Sequence, residues 1–170
     1  MEQEQDHDAL TALDSKGMDD IEFYISSNLG EDLKPLNRIA SGGELSRIIL
    51  AMKKALAGTG TVGTIIFDEV DSGIGGAVAE IIGEKLQHVA QSHQIICITH
   101  LPQIACFASS HYVVSKRIVG ERTLSEIRSL PESDRPDEIA RMLGGVNITE
   151  KTRAHAREML RRSCQQYKDF

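Results

Sequence analysis

Three short runs carry residues whose types and spacing could do chemistry: Ser41-Gly42-Gly43-Glu44-Leu45-Ser46-Arg47, the pair Asp68-Glu69 and the pair Thr99-His100. Glycines at the first positions of a helix leave backbone amides uncovered. Uncovered amides at the positive end of a helix dipole bind phosphate. Asp68 and Glu69 close the apolar run Thr64-Ile65-Ile66-Phe67. The carboxyl end of a strand is where open parallel sheets hold their ligands. One carboxylate there can serve Mg²⁺, which beside a nucleotide takes only one or two carboxylates from protein. The other can orient or deprotonate an attacking water. His100 closes a second apolar run, Gln94-Ile95-Ile96-Cys97-Ile98-Thr99, and can hydrogen-bond a terminal phosphate from the same rim. Asp71 begins a Gly-rich turn, Val70-Asp71-Ser72-Gly73-Ile74-Gly75-Gly76. Together these runs describe half of an ATP-hydrolysing site. The phosphate-cradling loop Gly-x-x-x-x-Gly-Lys-Ser/Thr occurs nowhere from Met1 to Phe170, so any nucleotide chemistry must be shared with another chain.

Each run also has a plainer reading. Ser41 and Glu44 fit a capping box, in which both side chains satisfy orphan amides at a helix start. Asp68-Glu69 could be two solvated acids after a strand, and His100 a polar residue at a sheet rim. Two further patterns are decoys. Gly58-x-Gly60-x-x-Gly63 fits a dinucleotide fingerprint but precedes a strand, where the mechanism requires it to follow one, so it reads as a linker. Arg153, Arg157 and Arg161 stand at four-residue steps and could touch phosphates, yet such a stripe reads more simply as a solvated helix face, partly paired from Glu158 to Arg162.

The elements that must position these residues follow from periodicity. Leu45, Ile48, Ile49, Met52 and Leu56 predict an amphipathic helix with one buried stripe, ending near Gly58. Val78, Ile81, Ile82, Leu86 and Val89 mark another helix, between the two short apolar runs. Strand, helix, strand with fully apolar strands predicts a parallel sheet covered on both faces. His111 to Arg117 and Arg122 to Arg128 predict an antiparallel pair at the sheet edge. Pro136-Asp137-Glu138 begins a helix that ends at Gly144-Gly145, and a last helix runs from Glu150 to Cys164. Earlier, Ile21 to Ser26 reads as a strand closing in a turn at Asn28 and Gly30, followed by a loop from Lys34 to Ala40.

Composition sets the frame. At 170 residues one core is expected, and 4% aromatic residues with no Trp require it to be built from Ile, Val, Leu and Ala. A net charge of −6 argues against a broad face for nucleic-acid backbone. Cys97, Cys106 and Cys164 form no C-x-x-C pair and suit a reducing cytoplasmic setting, with the apolar-segment thiols acting as small hydrophobes. No run approaches the roughly 18 apolar residues of a membrane span, so membrane and secretion are not expected.

The joint order of Ser41-Gly-Gly-Glu-Leu-Ser-Arg47, Phe67-Asp-Glu-Val-Asp-Ser-Gly-Ile-Gly-Gly76, Thr99-His-Leu-Pro-Gln-Ile-Ala105 and Met142-Leu-Gly-Gly145 resembles the C-terminal half of an ABC-type ATPase head. Within that superfamily it is similar to the RecN family of SMC-like bacterial DNA repair proteins. The resemblance covers residues 19–165. It implies an α/β fold, a mostly parallel sheet flanked by helices with an antiparallel edge hairpin, as the C-terminal half of a P-loop ATPase head. Residues 1–18 would be an acidic tail or coiled-coil stub and 166–170 a tail. It further implies that Ser41, Gly42, Gly43 and Glu44 contact ATP held by the opposite head. Asp68 would serve Mg²⁺, Glu69 the hydrolytic water, His100 the γ-phosphate and Asp71 communication across the dimer. The implied partners are an N-terminal half carrying the phosphate loop, a second head, and DNA in the complete protein, in a bacterial cytoplasm at the nucleoid. Strands that pair with the missing half would be left with open edges. The competing expectation is a non-catalytic module that docks on a partner or on DNA through its open edge or its basic last helix.

Overall fold

The computed structural model describes residues 17, 21–26, 30, 32–38, 41–56, 62–120, 122–145 and 147–166. The acidic start, most of the Gly58–Gly63 linker and the last four residues lie outside them. The chain divides into two compact units, Met1–Ala40 and Ser41–Phe170. That boundary falls inside the expected 19–165 lobe, directly before the glycine-opened helix.

In the first unit the expected strand shrinks to β1 (Tyr24–Ile25). It pairs antiparallel with β2 (Lys34–Pro35), a stretch expected to be loop. Leu36 N donates to Phe23 O at 2.7 Å and leads into a 3₁₀ turn, Leu36–Arg38.

The second unit runs α1 (Gly42–Ala55), β3 (Thr64–Phe67), α2 (Gly76–Val89), β4 (Gln94–Cys97), the short α3 (Pro102–Ala105), β5 (His111–Val119), β6 (Arg122–Leu130), a 3₁₀ turn (Glu132–Asp134), α4 (Arg135–Gly144) and α5 (Glu150–Gln166). It is a mixed helix and strand fold with small sheets. β3 and β4 are parallel, with Thr64 opposite Gln94 and Phe67 opposite Cys97. β5 and β6 form a separate antiparallel sheet, His111 opposite Leu130 and Val119 opposite Arg122, and not an edge of the first. Gly120, at φ 62°, takes the left-handed turn conformation that favours glycine.

One apolar cluster joins Leu50, Phe67, Val70, Ala79, Leu86, Val89 and Ile104. Each of its Leu, Val, Ile and Phe side chains contributes about 1.5–3 kcal/mol on burial. A second joins Ala105, Cys106, Phe107, Ile139, Ala140 and Ala156. Two expectations are corrected here. The parallel pair is covered on one face only. Ile65, Phe67, Ile95 and Cys97 turn toward the first cluster while Ile66 and Ile96 alternate to the other side and are exposed. The stripe of α1 is also rotated. Leu50, outside the expected set, is the buried apolar side chain of the helix, beside buried Gly43, whereas Leu45, Ile49 and Leu56 are exposed. α1 therefore carries apolar residues on two faces, and a single-stripe reading could not tell which would be used. α2 is similar: Ala79, Gly83, Leu86 and Val89 are buried, Val78 and Ile81 exposed.

Candidate functional site

α1 begins where extended Ser41 (φ −112°, ψ 120°) turns into Gly42, with Ser41 O accepting from Leu45 N at 3.1 Å. The Ser41 side chain makes no cap hydrogen bond, so the capping-box reading is corrected. The glycines serve close approach instead. A methyl group at Gly42 would stand 2.8 Å from Glu69 Oε2, and one at Gly43 would stand 2.8 Å from both Glu69 O and Ser72 Cβ. At Gly43, which meets the Glu69 backbone, only bare backbone fits, whereas at Gly42 the neighbour is the flexible end of the Glu69 side chain. Glu44, half-buried in the first turn, adds a negative charge where the helix dipole favours one.

Beyond β3 the chain leaves strand geometry at once. Glu69 sits at φ 57°, the one non-glycine residue with positive φ among the described residues. Its amide donates to Asp68 Oδ1 at 2.9 Å, and its carbonyl accepts from Ser72 N at 2.9 Å, closing a tight turn. Asp68 and Glu69 are both exposed at the rim. Ile98 N donates to Phe67 O at 2.9 Å and extends the parallel ladder by one step, so Asp68 and Thr99-His100 leave the sheet side by side.

Asp71 does something that the sequence reading did not assign. Its carboxylate is only 5% exposed and turns inward onto its own chain, where Oδ2 accepts from Thr99 Oγ1 at 2.6 Å and from His100 N at 2.9 Å. His100 Nδ1 lies 2.9 Å from the same oxygen, while the ring is 76% exposed. Burial pushes the Asp71 carboxyl upward, but the Thr99 hydroxyl, the His100 amide and the His100 charge outweigh it, leaving it below the usual carboxylate range. A carboxylate on Nδ1 keeps a proton there and leaves Nε2 facing outward. Asp71 thus aims His100.

Ser46 and Arg47, missed as site residues, tie α1 to the turn. Ser46 Oγ donates to Asp68 O at 2.8 Å, and Arg47 Nη1 donates to Val70 O at 3.3 Å and to Ser72 O at 2.9 Å. Their signal was inside the first motif, at helical spacing from Gly42 and Gly43. Below the rim Cys97 is an inert packing residue: burial, then the charges of Asp71 and Asp68, push its thiol up to about 12.

The donor set suits a hard cation supplied with phosphates. Among the described residues no group of three or more His, Cys, Asp or Glu is placed to hold a metal ion by itself. Asp68, exposed with one carboxylate oxygen engaged by Glu69 N, matches the one-carboxylate demand of nucleotide-bound magnesium. In the basic stripe of α5, Arg153 meets Asp137 and Glu150 and Arg157 shares Glu150, while Arg162 meets Glu80 rather than the expected Glu158; among the described residues Arg161 has no ion pair.

No protein-family model matches the chain. It is 49% identical over 144 residues to the DNA repair protein RecN of Halalkalibacterium halodurans, covering 85% of this chain and 26% of that protein. The RecN proteins of Bacillus subtilis (44% over 153 residues, 90% of this chain and 27% of that one) and Treponema pallidum (47% over 150 residues, 88% and 26%) are similar. Across most of its length the chain is similar to the C-terminal part of RecN proteins. It spans about a quarter of the length of these relatives and corresponds to their C-terminal part. A solved chain from a study of ATP-driven dimerization and DNA-stimulated activation of SMC ATPases superposes at a TM-score of 0.46 and 17% identity, covering 82% of this chain and 89% of its own length. Among the described residues no helix is long and apolar enough to cross a membrane.

Proposed function

We propose that this chain is the C-terminal half of the ATP-binding and hydrolysing head of a RecN-like protein acting in DNA double-strand break repair and recombination. One observation carries the reading. The amide-bearing start of α1, the acids Asp68 and Glu69, and the Asp71-aimed His100 meet at one rim of a parallel strand pair, although they come from three separate stretches of sequence. In the proposed head, Asp68 holds Mg²⁺, Glu69 orients and deprotonates water, and His100, protonated on both ring nitrogens, keeps Nδ1–H on Asp71 and donates Nε2–H to a terminal phosphate oxygen. Ser41 to Glu44 turn their amides to nucleotide held by a second head in a dimer. ATP with Mg²⁺ supplies the phosphoanhydride that is broken, with a phosphate loop contributed by an N-terminal half. The bare face bearing Ile66 and Ile96 and the unpaired edge of β4 suit the docking of that half.

Glu69→Gln in the assembled head tests the reading. ATP binding is retained, phosphate release falls by about 10²–10⁴, and engaged dimers accumulate in sedimentation. Rapid turnover in that variant removes Glu69 as the base. The 170-residue chain by itself turns over no ATP, and Glu69-dependent hydrolysis by it alone would overturn the half-site.

A further inference from the structure

Resting on the ATPase reading above, we propose that Arg47 is a positioning residue that clamps the turn carrying Glu69 and Asp71 to α1, so that the phosphate-facing helix start and the hydrolytic acid move as one body. Arg47 lies just over one helical turn beyond Gly43, and its Nη1 stands 3.2 Å from where a methyl group at Gly43 would be. From there it reaches across to two carbonyls of the turn, Val70 O and Ser72 O, with Ser46 Oγ on Asp68 O beside it. Alternate carbonyls, at residues 68, 70 and 72, are thus all held by one face of α1. On its other side the same turn is tied through Asp71 to Thr99 and His100.

The clamp has work to do. Glu69 holds a left-handed backbone that a non-glycine residue adopts only when its surroundings impose it. The turn also concentrates three carboxylates, at Asp68, Glu69 and Asp71, and Arg47 is a cation that donates to its backbone instead of pairing off one of those acids. Asp68 and Glu69 stay available while their carrier is fixed. In a dimer where Gly42 and Gly43 face nucleotide on the second head and Glu69 faces nucleotide on its own, the clamp joins the walls of two sites. Arg47 sets the alignment of Glu69 without touching the reacting atoms.

Hydrogen exchange and kinetics on Arg47→Ala test this together. In the 170-residue chain, amide exchange at Ser72, whose hydrogen bond to Glu69 O closes the turn, rises about tenfold or more. Exchange in α5 is unchanged, which separates release of the turn from failure to fold. In the assembled head, turnover at saturating ATP falls about 10- to 100-fold, as expected for a misplaced catalytic group. Half-saturating ATP changes by less than about threefold, because Arg47 makes no nucleotide contact. Arg47→Lys, with a point charge in place of the planar fork, recovers part of both effects. Unaltered exchange at residues 70–73 overturns the clamp whatever the head does. Faster exchange with undiminished turnover overturns its role in hydrolysis. If the unsubstituted head has no Glu69-dependent turnover, the ATPase reading falls, and exchange still decides the clamp.

Discussion

The two apolar clusters of the second unit are finished to different degrees. The cluster under α4 and α5 is closed: Ile139, Ala140 and Ala156 are fully buried, and the polar Ser163 beside them is satisfied, its hydroxyl donating to Cys106 O at 2.8 Å. The cluster under β3 and β4 is closed on one side only. Phe67 and Leu50 are buried in it, while Ile66 at 65% and Ile98 at 57% exposure stand on the opposite face, and Leu45 and Ile49 are exposed on α1. Apolar residues on both sides of a two-stranded sheet mean that folding of this chain uses one set and leaves the other to association. Every candidate site residue stands on the elements that frame this half-closed cluster. None belongs to the closed one.

That contrast can be broken by a pair of substitutions. Ile139→Ala, in the closed cluster, lowers the unfolding free energy of the chain by about 2–5 kcal/mol. Ile98→Ser, on the bare face, changes it by less than about 0.5 kcal/mol, yet weakens pull-down of a phosphate-loop half. Urea denaturation of both variants measures the first quantity. If Ile98→Ser costs as much as Ile139→Ala, the face is already covered within this chain and the open-side account fails.

A smaller effect sharpens where the clusters meet. Gly83 on α2 faces the Phe107 ring, and a methyl group there would overlap the ring, with Cε2 at 2.8 Å, and crowd Gln103 O at 3.1 Å. Helix propensity alone favours Ala over Gly by about 1 kcal/mol, but overpacking a closed contact costs about 1–3 kcal/mol. Gly83→Ala is therefore net destabilising in thermal unfolding, and Phe107→Leu in the same chain reduces the loss. A stabilised Gly83→Ala would mean that the ring has room to withdraw and that the two clusters are not wedged together at this point.

The same contrast explains what was legible in the sequence. β3 was read to the residue because Thr64-Ile65-Ile66-Phe67 is bounded by a linker and by acids. α4 was read from Pro136 and the paired glycines that end it. Hydrophobic periodicity, however, records every apolar face without saying which one this chain will bury. Leu45, Ile49, Val78 and Ile81 were accordingly assigned to the core and are exposed. The short α3 was missed because four residues give no period to read. At the site, residue types located Asp68, Glu69 and His100 at the rim, but not the tertiary bonds. The inward turn of Asp71 needs Thr99 Oγ1 and the His100 amide, which are brought near only by the parallel register of β3 and β4. The Ser41–Glu44 cap failed for a related reason: the first turn of α1 packs against the Glu69 turn, and local rules do not see that neighbour.

The smallest expected effect is a pH dependence confined to the closed side. His111 begins β5 opposite Leu130, with Nδ1 buried and without a hydrogen-bond partner. Burial lowers its pKa first, the Arg135 and Arg141 guanidiniums on α4 lower it further, and Glu138 opposes them. The sign follows from proton binding. In the unfolded chain His111 titrates at its ordinary value of about 6.5, and in the folded chain below that. Between those two values the unfolded state binds more protons, so the stabilisation present at neutral pH is lost as pH falls through 6.5 and levels off below the folded pKa. Denaturation midpoints at pH 7.5 and 5.5 measure this, and His111→Gln flattens the slope while leaving the neutral-pH value little changed. Equal slopes in the two proteins would mean that His111 can take up its proton in place, with the hairpin root loose enough to admit water. In that case the closed cluster would end at Leu130 instead of reaching the first residue of the hairpin.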